Sequence, residues 1–348
     1  MSERSISTPL PSTQTLTSLH YDSSLNLLSV GDLHGQVFLS TPHPDHLSLQ
    51  SSFTSHTVSF DKDIIQHESD SIVALQALYS LPGSTCLLAA NERVVKLWSV
   101  QGSLARCRRK FQAGHEFRIH SLSVAASKQA FLTCDDLTLN LWDVERTDCT
   151  YKAADHKPNS VKDLREVLLS AAFHHTDPAF LLTTSSAGSV RIADLRVKAK
   201  VTPPAIELRR PKGKDSQYSD ILCSVTSAAF ALEPNLVFSR DFQSAYVWDM
   251  RQPVRPISCI RLTGDSRSIV EALNSQTGLG RFQLKEVPGG CVTGGFEGQL
   301  IAISSAGDKK EAFVASDQLP QVAAGPEATF TCSQAQVMYL PQWPAFTH

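Results

Sequence analysis

Leu139-Asn140-Leu141-Trp142-Asp143 closes a short apolar run on a tryptophan and an aspartate, and the same ending recurs along the chain. Val94-Val95-Lys96-Leu97-Trp98 precedes it, and Val190-Arg191-Ile192-Ala193-Asp194 and Tyr246-Val247-Trp248-Asp249 follow. The tryptophan position, with Ala193 as a substitute, recurs after 44, 51 and 55 residues at positions 98, 142, 193 and 248. Weaker copies lie at Gly35-Gln36-Val37-Phe38-Leu39, Gln299-Leu300-Ile301-Ala302-Ile303 and Gln336-Val337-Met338-Tyr339-Leu340, making seven units. Several are preceded by a second strand and a polar turn, as in Phe131 to Asp136 and Leu181 to Gly188. Strand, polar turn, strand at this spacing is hairpin grammar, not helical periodicity.

A unit of this kind cannot bury both its faces alone, so the copies must stack around a centre. A period at or above about 40 to 45 residues, ending in Trp-Asp, is that of WD-repeat propeller blades. The expected fold is therefore all-β, a seven-bladed WD-repeat β-propeller over residues 16–348. Residues 1–15, rich in Ser, Thr and Pro, read as a flexible N-terminal tail. A strand near Leu16 to Tyr21 beside the final blade is one way for the ring to close.

Composition agrees with a folded chain: 348 residues, 42% hydrophobic and 19% charged. A formal net charge of −2 supplies no global field for nucleic acid or an anionic membrane, so charged recognition must be local. The apolar runs, such as Val167 to Phe173, fall short of the roughly 20 residues of a membrane span. The start lacks a basic segment followed by an apolar one, and no two of the eight cysteines have C-x-x-C spacing. Reduced thiols and a cytoplasmic or nuclear location are the expectation.

Several segments carry more than propeller grammar. Phe53-Thr54-Ser55-His56 with Phe60-Asp61, the run His115 to Ser123, and Cys134-Asp135-Asp136-Leu137-Thr138-Leu139-Asn140-Leu141-Trp142 occur in order. So do Asp155, Lys157-Pro158, Leu164, Glu166 and Val167, then Ser185-Ser186, Gly188, Arg191, Asp194 and Arg196, then Arg240-Asp241-Phe242, Trp248-Asp249 and Arg255-Pro256. This ordered set resembles the B-type regulatory subunits of protein phosphatase 2A, densely between residues 53 and 256. The resemblance implies a non-catalytic subunit that recruits phosphoprotein substrates to a phosphatase, with scaffold and catalytic subunits as partners and no cofactor. The alternative is an interaction scaffold that keeps the fold and has lost the phosphatase.

In the resembled family the Asp-Asp-Leu turn and a leucine in the next connection lie on the substrate-receiving face, which maps to Asp135, Asp136, Leu137 and Leu164. Glu68 and Asp70 fall where that family has a glutamate-rich segment. Two departures stand out. The family's long hairpin handle after the second blade's tryptophan, which grips the scaffold protein, is nearly absent. Ser99 to Gln112 remain, and hold Arg106, Arg108, Arg109 and Lys110 as the candidate scaffold contact. The loop after the fourth blade, acidic in the family, carries Lys198, Lys200, Arg209, Arg210, Lys212 and Lys214 against Glu207 and Asp215.

Other chemistries find little support. His115, His120, His174 and His175 lack a His-Cys framework for a metal, and His43 and His46 stand among prolines without further ligands. There is no G-x-S-x-G elbow, Walker loop or telling carboxylate pair, so no enzyme is read from the sequence. The basic segments lack the aromatic interleaving of a single-strand nucleic-acid binder.

Overall fold

The computed structural model describes residues 6–9, 15–57, 70–81, 83–112, 114–197, 203–210, 222–262, 282–295, 299–313, 321–326, 328–333 and 336–341. The fold is all-β, with seven four-stranded antiparallel sheets among the described residues. Strand β1 (Ile6–Pro9) comes first and is used last. Blade 1 is β2 (Leu16–Asp22), β3 (Leu27–Asp32), β4 (Gln36–Pro42) and β5 (Leu47–Thr54). Blade 2 is β6 (Ala74–Leu81), β7 (Ser84–Ala90), β8 (Val95–Gln101) and β9 (Leu104–Phe111). Blade 3 is β10 (Ser121–Val124), β11 (Ala130–Cys134), β12 (Thr138–Asp143) and β13 (Arg146–Asp155). Blade 4 is β14 (Leu168–Phe173), β15 (Phe180–Ser185), β16 (Ser189–Asp194) and β17 (Ile206–Arg209). Blade 5 is β18 (Ser227–Phe230), β19 (Leu236–Arg240), β20 (Ser244–Asp249) and β21 (Ser258–Arg261). Blade 6 is β22 (Leu284–Val287), β23 (Gly290–Gly294), β24 (Gln299–Ser304) and β25 (Lys309–Phe313). Blade 7 is β26 (Gln321–Gly325), β27 (Ala328–Ser333) and β28 (Gln336–Pro341), completed by β1.

Each of the seven repeats read from the sequence falls on the third strand of a blade. Most of their apolar residues are buried, Trp98, Leu141 and Met338 only partly, because the third strand has a neighbour on both sides and packs against the adjoining blades. Seven hydrophobic clusters result, each joining two adjacent blades. Leu87 and Leu75 of blade 2 meet Val37 and Leu39 of blade 1, and Phe111 meets Phe131 and Trp142 of blade 3. The last cluster joins blade 1 to blade 7 through Leu28, Phe38, Phe330 and Tyr339, so the ring is closed by packing.

Closure by strand pairing differs from the expectation. Leu16–Asp22 is the innermost strand of its own blade and does not pair with the final one. Among the described residues three strands follow residue 320, and the fourth is supplied by Ile6–Pro9, inside the segment read as a tail, with Ile6 opposite Tyr339 and Pro9 opposite Gln336. Proline is tolerated there because the strand is an edge and has an outward side with no ladder to break.

Antiparallel order places the turn between second and third strands, and the connection from one blade to the next, at the same end of every blade. That end is the upper face. A central channel of about 450 Å³ runs between the innermost strands. No helix among the described residues is long and apolar enough to cross a membrane.

Candidate protein-docking face

The turn of blade 3 is built on Asp135. Its Oδ1 accepts the amides of Leu137 (2.8 Å) and Thr138, which sets the hairpin, and its Oδ2 accepts the Thr138 hydroxyl (2.7 Å). His115, from the connection before the blade, donates Nδ1–H to the same Oδ2 at 2.7 Å. That leaves His115 Nε2 to accept the Thr133 hydroxyl, whose oxygen in turn accepts the Trp142 indole N–H at 2.7 Å. Four side chains thus tie the connection, the second strand and the third strand into one polar chain inside the blade. Burial works to raise the Asp135 pKa, but hydrogen bonds from His115, Thr138 and the two amides outweigh it and hold it at about 2.

The residues assigned to docking therefore divide. Asp135 is 0% exposed and Leu137 7%, so neither is available to a partner; the first is fixed by its four donors and the second by packing under the turn. Both are removed from the docking set. Asp136, between them, points the other way and its side chain is 37% exposed, with His120 Nε2 at 3.8 Å. Its carbonyl accepts the Leu168 amide at 2.8 Å, which pins the next connection to this turn. That connection carries a single 3-10 turn, Val161–Asp163, and then Leu164, which is 41% exposed. Asp70, half-buried beside blade 1, has its pKa raised by burial, against the opposing influence of His34 and Lys96. Glu68 and Phe60-Asp61 lie outside the described residues.

Phe117, which the sequence pattern does not single out within the run His115 to Ser123, is 40% exposed in the connection entering blade 3. An aromatic directly after an acidic residue in a loop was the available signal. The two connections are themselves linked, since Lys157 forms an ion pair with Glu116. A cleft of about 400 Å³ opens beside Leu164 among His156, Asn159, Asp163 and Arg165. Its floor is held by Glu166, which pairs with Arg191 at 2.6 Å; Arg191 also reaches Glu207 at 3.3 Å. Burial lowers the His156 pKa, with Glu166 opposing and Arg191 reinforcing. The upper face around blade 3 thus offers a carboxylate, two exposed apolar side chains and a polar cleft on a rigid base. Such a set can seat a short protein segment: apolar anchors give affinity, and the carboxylate selects a cation.

The basic segments are also redistributed. Ser99 to Gln112 do not form a loop between blades: they end β8, turn at Gly102 and Ser103, and run back as β9, the outer strand of blade 2. Arg109 pairs with Glu145 of blade 3 at 2.6 Å, while Arg106, Arg108 and Lys110 are exposed. Arg210 is no surface charge. Its Nη1 donates to Asp241 at 2.7 Å, where Asp241 sets the blade 5 turn through the amides of Gln243 and Ser244. Arg210 there occupies the role His115 has in blade 3, with Trp248 bonding Ser239 as Trp142 bonds Thr133. Arg209 pairs with Glu207 at 3.1 Å. Lys198, Lys200, Lys212, Lys214 and Asp215 lie outside the described residues.

No group of three or more His, Cys, Asp or Glu among the described residues is placed to hold a metal. His174 and His175 stack on each other, as do His43 and His46.

No family model matches the chain. Curated proteins do. Over 161 residues the chain is 34% identical to the B alpha isoform of the 55 kDa regulatory subunit of serine/threonine protein phosphatase 2A from Arabidopsis thaliana, a match covering 46% of this chain and 31% of that protein. It is 25% identical over 290 residues to the protein phosphatase PP2A 55 kDa regulatory subunit of Drosophila melanogaster, covering 70% and 58%. Against the B gamma isoform of Mus musculus it is 25% identical over 301 residues, covering 73% and 67%. The chain is a divergent relative of these regulatory subunits. The matched stretch spans between about a third and two thirds of the length of those relatives. Blade 2 of this divergent relative has a two-residue turn where the resemblance places a gripping handle.

Proposed function

We propose that the chain is a non-catalytic regulatory subunit that recruits phosphoprotein substrates to a phosphatase 2A-type enzyme, in the cytoplasm or nucleus. The observation that carries this reading is the similarity to 55 kDa regulatory subunits, combined with an upper face that leaves Asp136 and Leu164 exposed while their neighbours Asp135 and Leu137 are built into the blade. Chemistry would belong to the partner. A substrate held on Asp136, Leu164, Phe117 and Asp70 is dephosphorylated faster because tethering makes the encounter effectively intramolecular. Scaffold docking, with no handle, is left to the cations of blade 2: the exposed Arg106, Arg108 and Lys110, with Arg109, which pairs with Glu145, beside them. Co-purification from native extract tests the proposal. Recovery of scaffold and catalytic subunits supports it; their absence overturns it.

The turn at Gly102 and Ser103 favours a second reading, an interaction platform that no longer binds the phosphatase. On that reading the upper face still captures protein segments, and the extract yields partners without phosphatase activity.

A further inference from the structure

The outer edge of blade 2 differs from every other outer strand in the ring. β9 carries Arg106, Arg108, Arg109 and Lys110 and no acid over eight residues. β5, of the same length, carries no charge, and β13 balances Arg146 and Lys152 with Asp148 and Asp155. β21 holds a single cation, Arg261. On β17 Arg209 pairs with Glu207, and β25 sets Glu311, paired with Lys309, against Lys309 and Lys310. On β9 only Arg109 has an ion-pair partner, Glu145. Among the described residues Arg106, Arg108 and Lys110 have none, and all three are exposed.

Lysine and arginine commonly guard a sheet edge against pairing with its own kind. Edge protection does not account for β9, because β5 has an equally long edge and carries no guard. The backbone of β9 is the last in its sheet, so among the described residues no strand is hydrogen-bonded to the outward side of its ladder. Leu104, 50% exposed, adds an apolar contact at the end near the turn. We infer that this edge receives an extended, acidic protein segment as a fifth strand of blade 2. Alternate side chains of such a strand fall on one face about 6.6 to 7 Å apart. A bulge at Arg108 places Arg106 and Lys110 on opposite faces of the sheet, so carboxylates on either face of the added strand meet a cation while main-chain hydrogen bonds supply affinity. This is the edge to which the proposed function assigns scaffold docking, but the inference rests on the charge and open ladder of β9 and survives failure to bind any component of the phosphatase.

The probe is a blocked alternating Glu-Thr peptide matched to the eight residues of β9, titrated into the full chain at low salt and followed by hydrogen exchange. The expected result is saturable binding that weakens with salt and slows exchange within residues 104–111. A Glu-Pro peptide of equal charge, which cannot donate to a ladder, should bind at least tenfold more weakly. The combined variant Arg106→Glu, Arg108→Glu and Lys110→Glu should lose binding to a similar extent with an unchanged melting curve. The milder set Arg106→Gln, Arg108→Gln and Lys110→Gln provides the same readout should the reversal perturb the blade. Equal binding of the Glu-Pro peptide, protection elsewhere, no binding of Glu-Thr, or tighter binding of single-stranded oligothymidylate would each overturn the inference.

Discussion

Replacing Asp135 by alanine removes the acceptor for four donors at once: the Leu137 and Thr138 amides, the Thr138 hydroxyl and His115 Nδ1–H. All sit at a carboxylate that is 0% exposed, so water does not replace it without the turn opening. Hydrogen bonds to a charged group contribute about 1.5 to 3 kcal/mol each, and an abandoned buried donor costs about 1 to 3. The donors share one turn and relax together, so the total is not a sum; a loss of about 4 kcal/mol is the expectation. For a chain of this size that is roughly a 5 to 6 °C fall in melting temperature. The acid limb supplies an independent measure. The folded carboxyl titrates at about 2, against roughly 3.9 unfolded, and that difference is worth about 2 to 3 kcal/mol. Because the folded pKa is the lower one, this stabilisation is complete above about pH 4 and drains away as pH falls toward 2. Urea unfolding of the parent and Asp135→Ala at neutral pH and at pH 3 measures both. A variant within about 1 kcal/mol of the parent at neutral pH, or one with the parent's full acid sensitivity, would refute the reasoning.

Asp136→Lys, one residue on, should change stability by no more than about 0.5 to 1 kcal/mol while weakening capture of basic substrate segments several-fold; a titration and a melt on one preparation separate this from a merely structural role. His56, 2% exposed with Nε2–H donating to the Val94 carbonyl, titrates at about 3 because burial and the nearby Lys96 disfavour its charge. In the unfolded chain this imidazole takes up a proton near pH 6.5, so the stability it contributes is full above about 6.5 and is lost as pH falls toward 3. About 2 kcal/mol should go by pH 5, and His56→Gln should flatten that slope. An unchanged slope contradicts the assignment. Gly35 has φ of +77° and a side-chain carbon there would stand 2.1 Å from the His56 carbonyl oxygen, so Gly35→Ala should cost more than the about 1 kcal/mol of ordinary left-handed strain; calorimetry checks it.

The third strand was legible because it is largely buried and, in blades 2, 3 and 5, carries a tryptophan packed into a cluster between blades, a place Ala193 holds in blade 4. Outer strands were not. β9 reads as a charged connection because its side chains face solvent and obey no alternation, and β1 reads as a tail because an edge strand of four residues needs no apolar pattern. At the candidate site the turn itself was visible in Asp135 and Asp136, but which carboxylate faces inward depends on His115, Thr133 and Trp142, which converge only in the folded blade. Arg210 reads as a loop charge for a related reason: its acid, Asp241, lies 31 residues away and belongs to the next blade. Leu164 lies on the surface because its connection is tied down at His156 and Lys157 before it and at Glu166 and Leu168 after it, leaving the leucine between the anchors.

Size-exclusion chromatography of the full chain with a purified phosphatase 2A scaffold–catalytic dimer tests the central claim most directly. The account predicts one earlier-eluting species containing all three chains, despite the two-residue turn in place of a handle. Separate elution at concentrations well above those in the cell would contradict it, and leave the propeller as a platform without the phosphatase.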